Sequence, residues 1–239
     1  SKRFEIPIFT LINDLEAHAH GLPLLSEDDL FVLQSGSSQT GNQALAFCGT
    51  GLGEAGVFWS GEQFCPFAGE GGHADFAPRN ELEIALLLYL QKKYGHVSYE
   101  RILSGSGLYE IFQFLIRSKK ECIADIVKNE MQKKNPTHVI VEMGRNKKDK
   151  VCSQALDLFL SIYGAEAGNL ALKFLSLGGI YIGGGMVSHL GEFMRNSSFL
   201  SSFCDKGRFK AFMESIPVTV VLVDNTALLG ASMVARKLV

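Results

Sequence analysis

Apolar residues recur at helical spacing through "NELEIALLLYLQKKYG" (Asn80 to Gly95), which opens on a good N-cap, carries glutamate in its first turn and stops at glycine. That is a helix with both ends marked. The same period runs through "GLYEIFQFLIRS", through the long segment "CSQALDLFLSIYGAEAGNLALKFL" as far as Leu175, and through "TALLGASMVARKL". A helix is also expected from Ser98 in "SYERIL", and "FMRNSSFLSSF" reads as helical. Short β-branched or apolar runs alternate with these helices. They are "EIPIFTLI" (Glu5 to Ile12), Ala44 to Cys48, Ala55 to Trp59, "GGIYIGGGM" and "PVTVVLV". Ala44 to Cys48 and Ala55 to Trp59 form a hairpin, with turn glycines free to take positive φ. The first run ends in Asn13 and Asp14, followed by a short helix over "LEAHAHGL". "PTHVIVEM" is divided between the two periods; Asn135 before Pro136 tips it toward a helix start. The mixture is α/β.

Composition narrows the function. The chain has 239 residues, 46% hydrophobic and 20% charged, enough to bury a large core. Its net charge of -2 offers no basic stripe to a nucleic acid, and the one lysine-rich run, "RNKKDK" (Arg145 to Lys150), lacks aromatics for base stacking and reads as a solvated helix end or loop. The cysteines Cys48, Cys65, Cys122, Cys152 and Cys204 are dispersed and form no C-x-x-C pair, so neither a disulfide framework nor a structural zinc site is expected. A reducing compartment suits them. No apolar run reaches the roughly 18 residues that suggest a membrane span. The start has no secretory pattern, so no membrane partner is expected.

The candidate chemistry sits in glycine-rich loops. "FAGEGGHADFAP" (Phe67 to Pro78) places Glu70, His73 and Asp75 around three glycines, allowing side chains to converge on a small ligand without backbone crowding. A metal site here would need a third ligand beyond His73 and Asp75, and no H-E-x-x-H or cysteine cluster supplies one. "CGTGLG" (Cys48 to Gly53) offers bare backbone N–H groups and the Thr50 hydroxyl after a strand, which suits phosphate oxygens or an ordinary hairpin tip. "GGGM" (Gly183 to Met186) suits a flat ligand or a plain strand-end turn. Asn13 and Asp14 lie beyond the end of a strand, where open α/β sheets bind ligands, although helix capping is the competing use. Glu100 can be a site carboxylate or a first-turn residue behind Ser98. His18, His20, His96, His138 and His189 have no evident nucleophile partner and read as surface or capping residues.

Taken in order, "INDLEAHAHGLP", "GTGLG", "GEGGHADFAP", "GHVSYERILSGSGL", "GNLAL", "GGIYIGGGM", "DKGRFK" and "DNTALLG" resemble the bacterial glucokinases, within the hexokinase and actin-like ATPase superfamily of ribonuclease H-like architecture. The zinc-binding cysteine cluster of the related repressor and sugar-kinase group is absent. The resemblance implies transfer of the γ-phosphoryl of ATP to the 6-hydroxyl of glucose at the entry to glycolysis. Mg²⁺ would be carried by the nucleotide, with no protein-ligated metal, and the setting would be a cytoplasmic homodimer. It makes Asp14 the general base, and Asn13, Glu70, His73 and Glu100 the partners of the other sugar hydroxyls. Gly49, Thr50 and Gly51 would be a phosphate loop, and Gly183, Gly184 and Gly185 an adenosine-side turn. Carboxylates accept from hydroxyls and imidazole can donate, so these residue types suit a sugar.

One family feature is missing. No "DxGGTN"-type first phosphate loop occurs, so the expectation is a nearly complete large domain with most of the small domain absent. On that reading residues 1–23 are a remnant of the small domain, 24–215 the large domain with the sugar site, and 216–239 a strand and helix returning to the small one. Two other functions stay open at this point: an inactive sugar-binding fragment, and a metal-dependent hydrolase using His73 and Asp75.

Overall fold

The computed structural model describes residues 8–37, 39–119 and 123–238. Its centre is one six-stranded sheet in the order β1-β6-β5-β2-β3-β4. The strands are β1 (Leu30–Gln34), β2 (Gln43–Cys48), β3 (Leu52–Trp59), β4 (Phe64–Gly69), β5 (Ile180–Gly183) and β6 (Val218–Val221). β2, β5 and β6 run parallel, while β1, β3 and β4 are antiparallel to their neighbours. The predicted hairpin is β2–β3, with Cys48 opposite Leu52.

Both faces of the central strands are covered, which is why β2 reads as an unbroken apolar run. Ala44, Ala46 and Cys48 point into the larger core, and Leu45 and Phe47 into a smaller cluster with Leu15, Ala19 and Leu22. The larger core is organised by α6 (Lys150–Phe174), the predicted long helix. It is capped by Asp149, whose Oδ1 accepts from the Cys152 amide at 2.9 Å, and is buried on nearly every side. The Tyr163 hydroxyl donates to the Ala46 carbonyl at 2.5 Å, tying α6 to β2. Around it pack α2 (Glu81–Tyr94), α3 (Gly105–Lys119), α4 (Asp125–Met131) and α5 (Pro136–Arg145), followed by α7 (Gly191–Arg195), α8 (Phe199–Cys204) and α9 (Lys210–Ser215). α2 keeps its predicted ends, with Asn80 Oδ1 accepting from the Glu83 amide and Gly95 turning at φ 72°. "PTHVIVEM" is helical, with Asn135 as its cap.

The other face carries α1 (Asp14–Gly21) against α10 (Thr226–Arg236). A Cβ on Gly230 would lie 1.8 Å from the Ala17 carbonyl oxygen, and one on Gly21 would lie 2.1 Å from that of Thr226. Backbone contact at this crossing therefore needs both glycines. β6 lies inside the sheet between β1 and β5, while α10, which follows it, packs on α1.

Four expectations change. The strand over Glu5 to Ile12 lies outside the described residues up to Pro7, and residues 8–13 have no regular structure; Ile8, Phe9 and Leu11 are exposed, with no strand beside them among the described residues. The helix at Ser98 is a single 3-10 turn, Tyr99–Arg101, and a new helix starts at Gly105, whose amide donates to the Gly49 carbonyl at 3.0 Å. "FMRNSSFLSSF" divides into α7 and α8, because Asp157 accepts from both the amide and the hydroxyl of Ser198 at the break. β1 and β4 come from segments without a clear strand signal. β4 contains Pro66, which an edge strand tolerates.

Gly230→Ala is expected to lower unfolding stability by about 1–3 kcal/mol, the usual cost of forcing extra volume into a packed contact. The urea midpoint measures it.

Candidate active site

At the carboxyl ends of the central strands lies a cleft of about 360 Å³. Asn13, Asp14, Glu70, His73, Glu100, Gly49, Thr50, Gly51 and Gly184 all line it. Residues from five separate stretches of chain are thus brought together.

Asn13 caps α1, its Oδ1 accepting from the amides of Leu15 at 2.8 Å and Glu16 at 3.2 Å. The capping use weighed for it is real, and it leaves the side-chain amide as the group free to donate. Asp14 is the first residue of α1 and is exposed to the cleft. The third wall is Glu100, whose Oε2 accepts from the Leu52 amide at 3.1 Å. A Cβ on Gly51 would sit 2.3 Å from that oxygen, so the carboxylate reaches β3 only because residue 51 has no side chain. Its other oxygen remains available for a ligand.

The turn carrying Glu70 and His73 is laid on β3 in the same way. A Cβ on Gly72 would stand 2.0 Å from the Leu52 carbonyl oxygen, and one on Gly71 would stand 1.9 Å from Glu54 Oε2. Residues 71–73 make one 3-10 turn, with the His73 amide donating to the Glu70 carbonyl at 3.0 Å. The His73 and Glu70 side chains are 63% and 79% exposed, with Nε2 and Oε2 3.9 Å apart. They face the cleft as an open pair, free to take hydroxyls. Asp75 turns away and meets His96 Nε2 at 2.6 Å, while an isolated bridge joins Asp75 to Ser98. That contact holds the loop against the Ser98 turn. Among the described residues no group of three or more His, Cys, Asp or Glu is placed to hold a metal ion.

The glycine loops divide by role. In the hairpin tip neither Gly49 nor Gly51 takes positive φ; the tip is closed by the Gly49 amide donating to the Gly51 carbonyl at 2.9 Å, and its glycines serve close approach instead. Gly184 does take positive φ, 97°, with its Cβ position 2.2 Å from the Cys48 carbonyl oxygen. Space beside Gly49 and Gly185 is open. Gly183 is the last residue of β5 and packs on the Phe47 ring, away from the cleft. Beyond Thr50 and Gly49 the surface continues into a second hollow of about 590 Å³, which Ser106, Tyr109, Thr137 and Gly185 help to line. The Thr50 and Gly51 amides at the tip, next to hydroxyls and an aromatic ring, fit phosphates and a nucleoside.

His18, expected as a surface or capping residue, lines the cleft. It follows Asp14 by one helical turn, which was the available sequence signal. Its ring packs on Phe47 at 4.6 Å between centroids, and its Nδ1 is buried without a hydrogen-bond partner. Burial pushes the imidazole below its ordinary value, against the upward pull of Asp14 and Asp224. His138 and His189 likewise border a hollow, with Arg145 and Met186.

Residues 1–238 match the family described as Glucokinase. The chain belongs to the glucokinase family. A glucokinase of Trichormus variabilis is 42% identical over 253 residues, a match covering 100% of this chain and 74% of that protein. Among solved structures, a glucokinase from an Antarctic psychrotroph superposes with a TM-score of 0.85 at 28% identity, covering 99% of this chain and 71% of the other. The glucokinase of Balamuthia mandrillaris in complex with glucose superposes at 0.81 with 23% identity, over 94% of this chain and 65% of that one, and speaks for the fold. The sheet and helices described above are thus the glucokinase fold of the actin-like ATPases.

Because the folded state favours neutral His18, its contribution to stability is present at and above the ordinary histidine value of 6.5 and is lost as pH falls through the lower, folded one. An NMR titration should place the His18 midpoint below 6.5, and Asp14→Asn should lower it further by removing a charge that favours the imidazolium.

Proposed function

We propose that this member of the glucokinase family phosphorylates glucose with ATP, giving glucose 6-phosphate and ADP, and that the cleft at the strand ends is where it does so. One observation carries the reading. Asn13, Asp14, Glu70, His73 and Glu100 converge on a single cleft whose remaining wall is the Gly49–Gly51 hairpin tip.

Each group has a definite task on this reading. Asp14 takes the proton of the 6-hydroxyl as that oxygen bonds to the γ-phosphorus, and the bond to the β-phosphate bridging oxygen breaks with its electron pair leaving on ADP. Glu100, anchored on the Leu52 amide, accepts from a sugar hydroxyl with its second oxygen. Glu70 accepts and His73 exchanges hydrogen bonds on the exposed side, while the Asn13 amide donates. The Thr50 and Gly51 amides and the Thr50 hydroxyl hold phosphate oxygens, Gly49 leaves room beside them, and Gly184 and Gly185 let the nucleoside approach the backbone. Gly183 supports that turn from within β5. Mg²⁺ arriving with the nucleotide would neutralise phosphate charge.

The α1–α10 pair carries Asp14 on one face of the sheet and the α6 core carries the sugar loops on the other. That arrangement supports residues 1–23 and the end of 216–239 as the small-domain side, with 24–215 as the large domain. The four described cysteines are free, three of them buried, which suits a reducing cytoplasm, and the family resemblance supports a place at the entry to glycolysis. No described helix is long and apolar enough to cross a membrane. The family resemblance supports a homodimer without nucleic-acid or membrane partners.

In the full chain, Asp14→Asn should lower kcat by about 10²–10⁴ with the glucose KM little changed, since a general base acts in the transition state. Near-normal turnover with glucose affinity intact would remove Asp14 from this role.

A further inference from the structure

Beneath the cleft, on the α6 side of the sheet, lie two carboxyl groups that phosphoryl transfer leaves unused. Glu54 of β3 is 2% exposed and Glu166 of α6 is 1% exposed. The Oε1 atom of each is buried with no hydrogen-bond partner. Glu166 Oε2 accepts from Asn169 Nδ2 at 2.9 Å, and its Oε1 faces Lys173 Nζ across 3.6 Å. The same Asn169 amide donates to the Tyr99 hydroxyl at 3.2 Å, and Lys206 Nζ donates to Asn169 Oδ1 at 2.7 Å.

Both sugar-side elements rest on this network. Tyr99 immediately precedes Glu100 in the 3-10 turn. Glu54 Oε2 lies directly against Gly71, at the place a Cβ would need, and Gly71 follows Glu70 in the turn that ends at His73. The floor of the Glu70–His73 turn is therefore a carboxyl group, where an apolar side chain would ordinarily serve.

Glu166 faces Lys173 Nζ and also feels the charge of Lys206, while a charge on buried Glu54 would stand beside that of Glu166. Burial, then the charge of Glu166, pushes Glu54 up to about 8, with Lys173 pulling the other way. The other titratable groups on this face are Cys48 on β2, Tyr99 in the 3-10 turn and Tyr163 on α6, all driven upward by burial and so uncharged near neutrality, and Lys206, whose ammonium burial pushes below its ordinary value. From the turn above come Glu70 and His73, both exposed.

We propose that Glu54 is a positioning residue for glucose: as a neutral acid it packs beneath Gly71 and holds the Glu70–His73 turn over the sugar, and as a carboxylate beside Glu166 it forces that turn outward. This rests on the reading that Glu70 and His73 contact glucose. Ionisation needs water or a cation at Glu54, and the turn that seals it is the part free to move, since its side chains are already in solvent. Glucose affinity then falls as pH rises, while the chemistry at Asp14, on the opposite face of β3, is untouched.

The test is glucose Kd by calorimetry without nucleotide, with KM and kcat alongside, from about pH 6.5 to about pH 9 on the full chain. In the unmodified protein Kd and KM should rise roughly three- to tenfold over that range, with kcat changing less than about twofold from this cause. Glu54→Gln, which mimics the neutral acid, should keep the low-pH affinity throughout. Glu166→Gln should move the midpoint of the rise to lower pH by removing the neighbouring charge. A rise of equal size in Glu54→Gln, or a flat profile in the unmodified protein, overturns the proposal. Should Glu54→Gln fail to fold by circular dichroism, an unmoved midpoint in Glu166→Gln overturns it instead. No glucose binding at any pH would strike at the assignment of the sugar cleft itself.

Discussion

Strand β3 is the surface on which the site is cast. Over its first three residues it gives the Leu52 amide to Glu100, sets the Leu52 carbonyl against Gly72, and sets the Glu54 carboxyl against Gly71. A Cβ on Gly53 would lie 2.1 Å from Leu15, so the opposite face of the strand brings α1, and with it Asp14, equally close. Four glycines, at 51, 53, 71 and 72, are the condition for this approach. Each lacks a side chain because another group occupies the volume it would fill. A larger residue at 51 would move the Glu100 wall, one at 53 would move α1, and one at 71 or 72 would move the Glu70–His73 turn.

The glycines of these loops serve close approach more than positive φ. Neither Gly49 nor Gly51 uses the left-handed region, and among the site glycines only Gly184 does. The "GTGLG" and "GEGG" segments are glycine-rich because they are close-packed against one strand. A motif that looks like flexibility in one dimension is steric complementarity in three.

The legible parts of the fold were those that mark themselves locally. α2 has a cap, a period and a terminating glycine, and the β2–β3 hairpin has two apolar runs about one glycine tip. β1 and β4 escaped notice because edge strands bury little. β4 exposes Phe64 and Phe67, and it holds a proline that would argue against a central position. The turn at Ser98 ended early for a tertiary reason, the bond from Gly105 to Gly49, which no local propensity encodes. Asn13, Asp14, Glu70, His73 and Glu100 are expected as site residues from motif order, and they line one cleft. His18 and Glu54 were invisible for a different reason. A histidine on a helix and a glutamate in a strand are ordinary surface residues until the opposite face is known to be covered.

The walls of the cleft differ in how firmly they are held, and the difference has a direction. Glu100 is half-buried and bonded to β3, and Asn13 is committed to the α1 cap, so this side has its geometry before any ligand arrives. Glu70 and His73 stand mostly in solvent and 3.9 Å apart, too far for a bond between them. Hydroxyls entering between those two groups gain partners without first breaking a protein contact, whereas displacing Glu100 would cost its bond to Leu52. On the proposed function, a sugar would register against the Glu100 wall and the exposed turn would adapt to it. The order follows from where each carboxylate's second oxygen is spent.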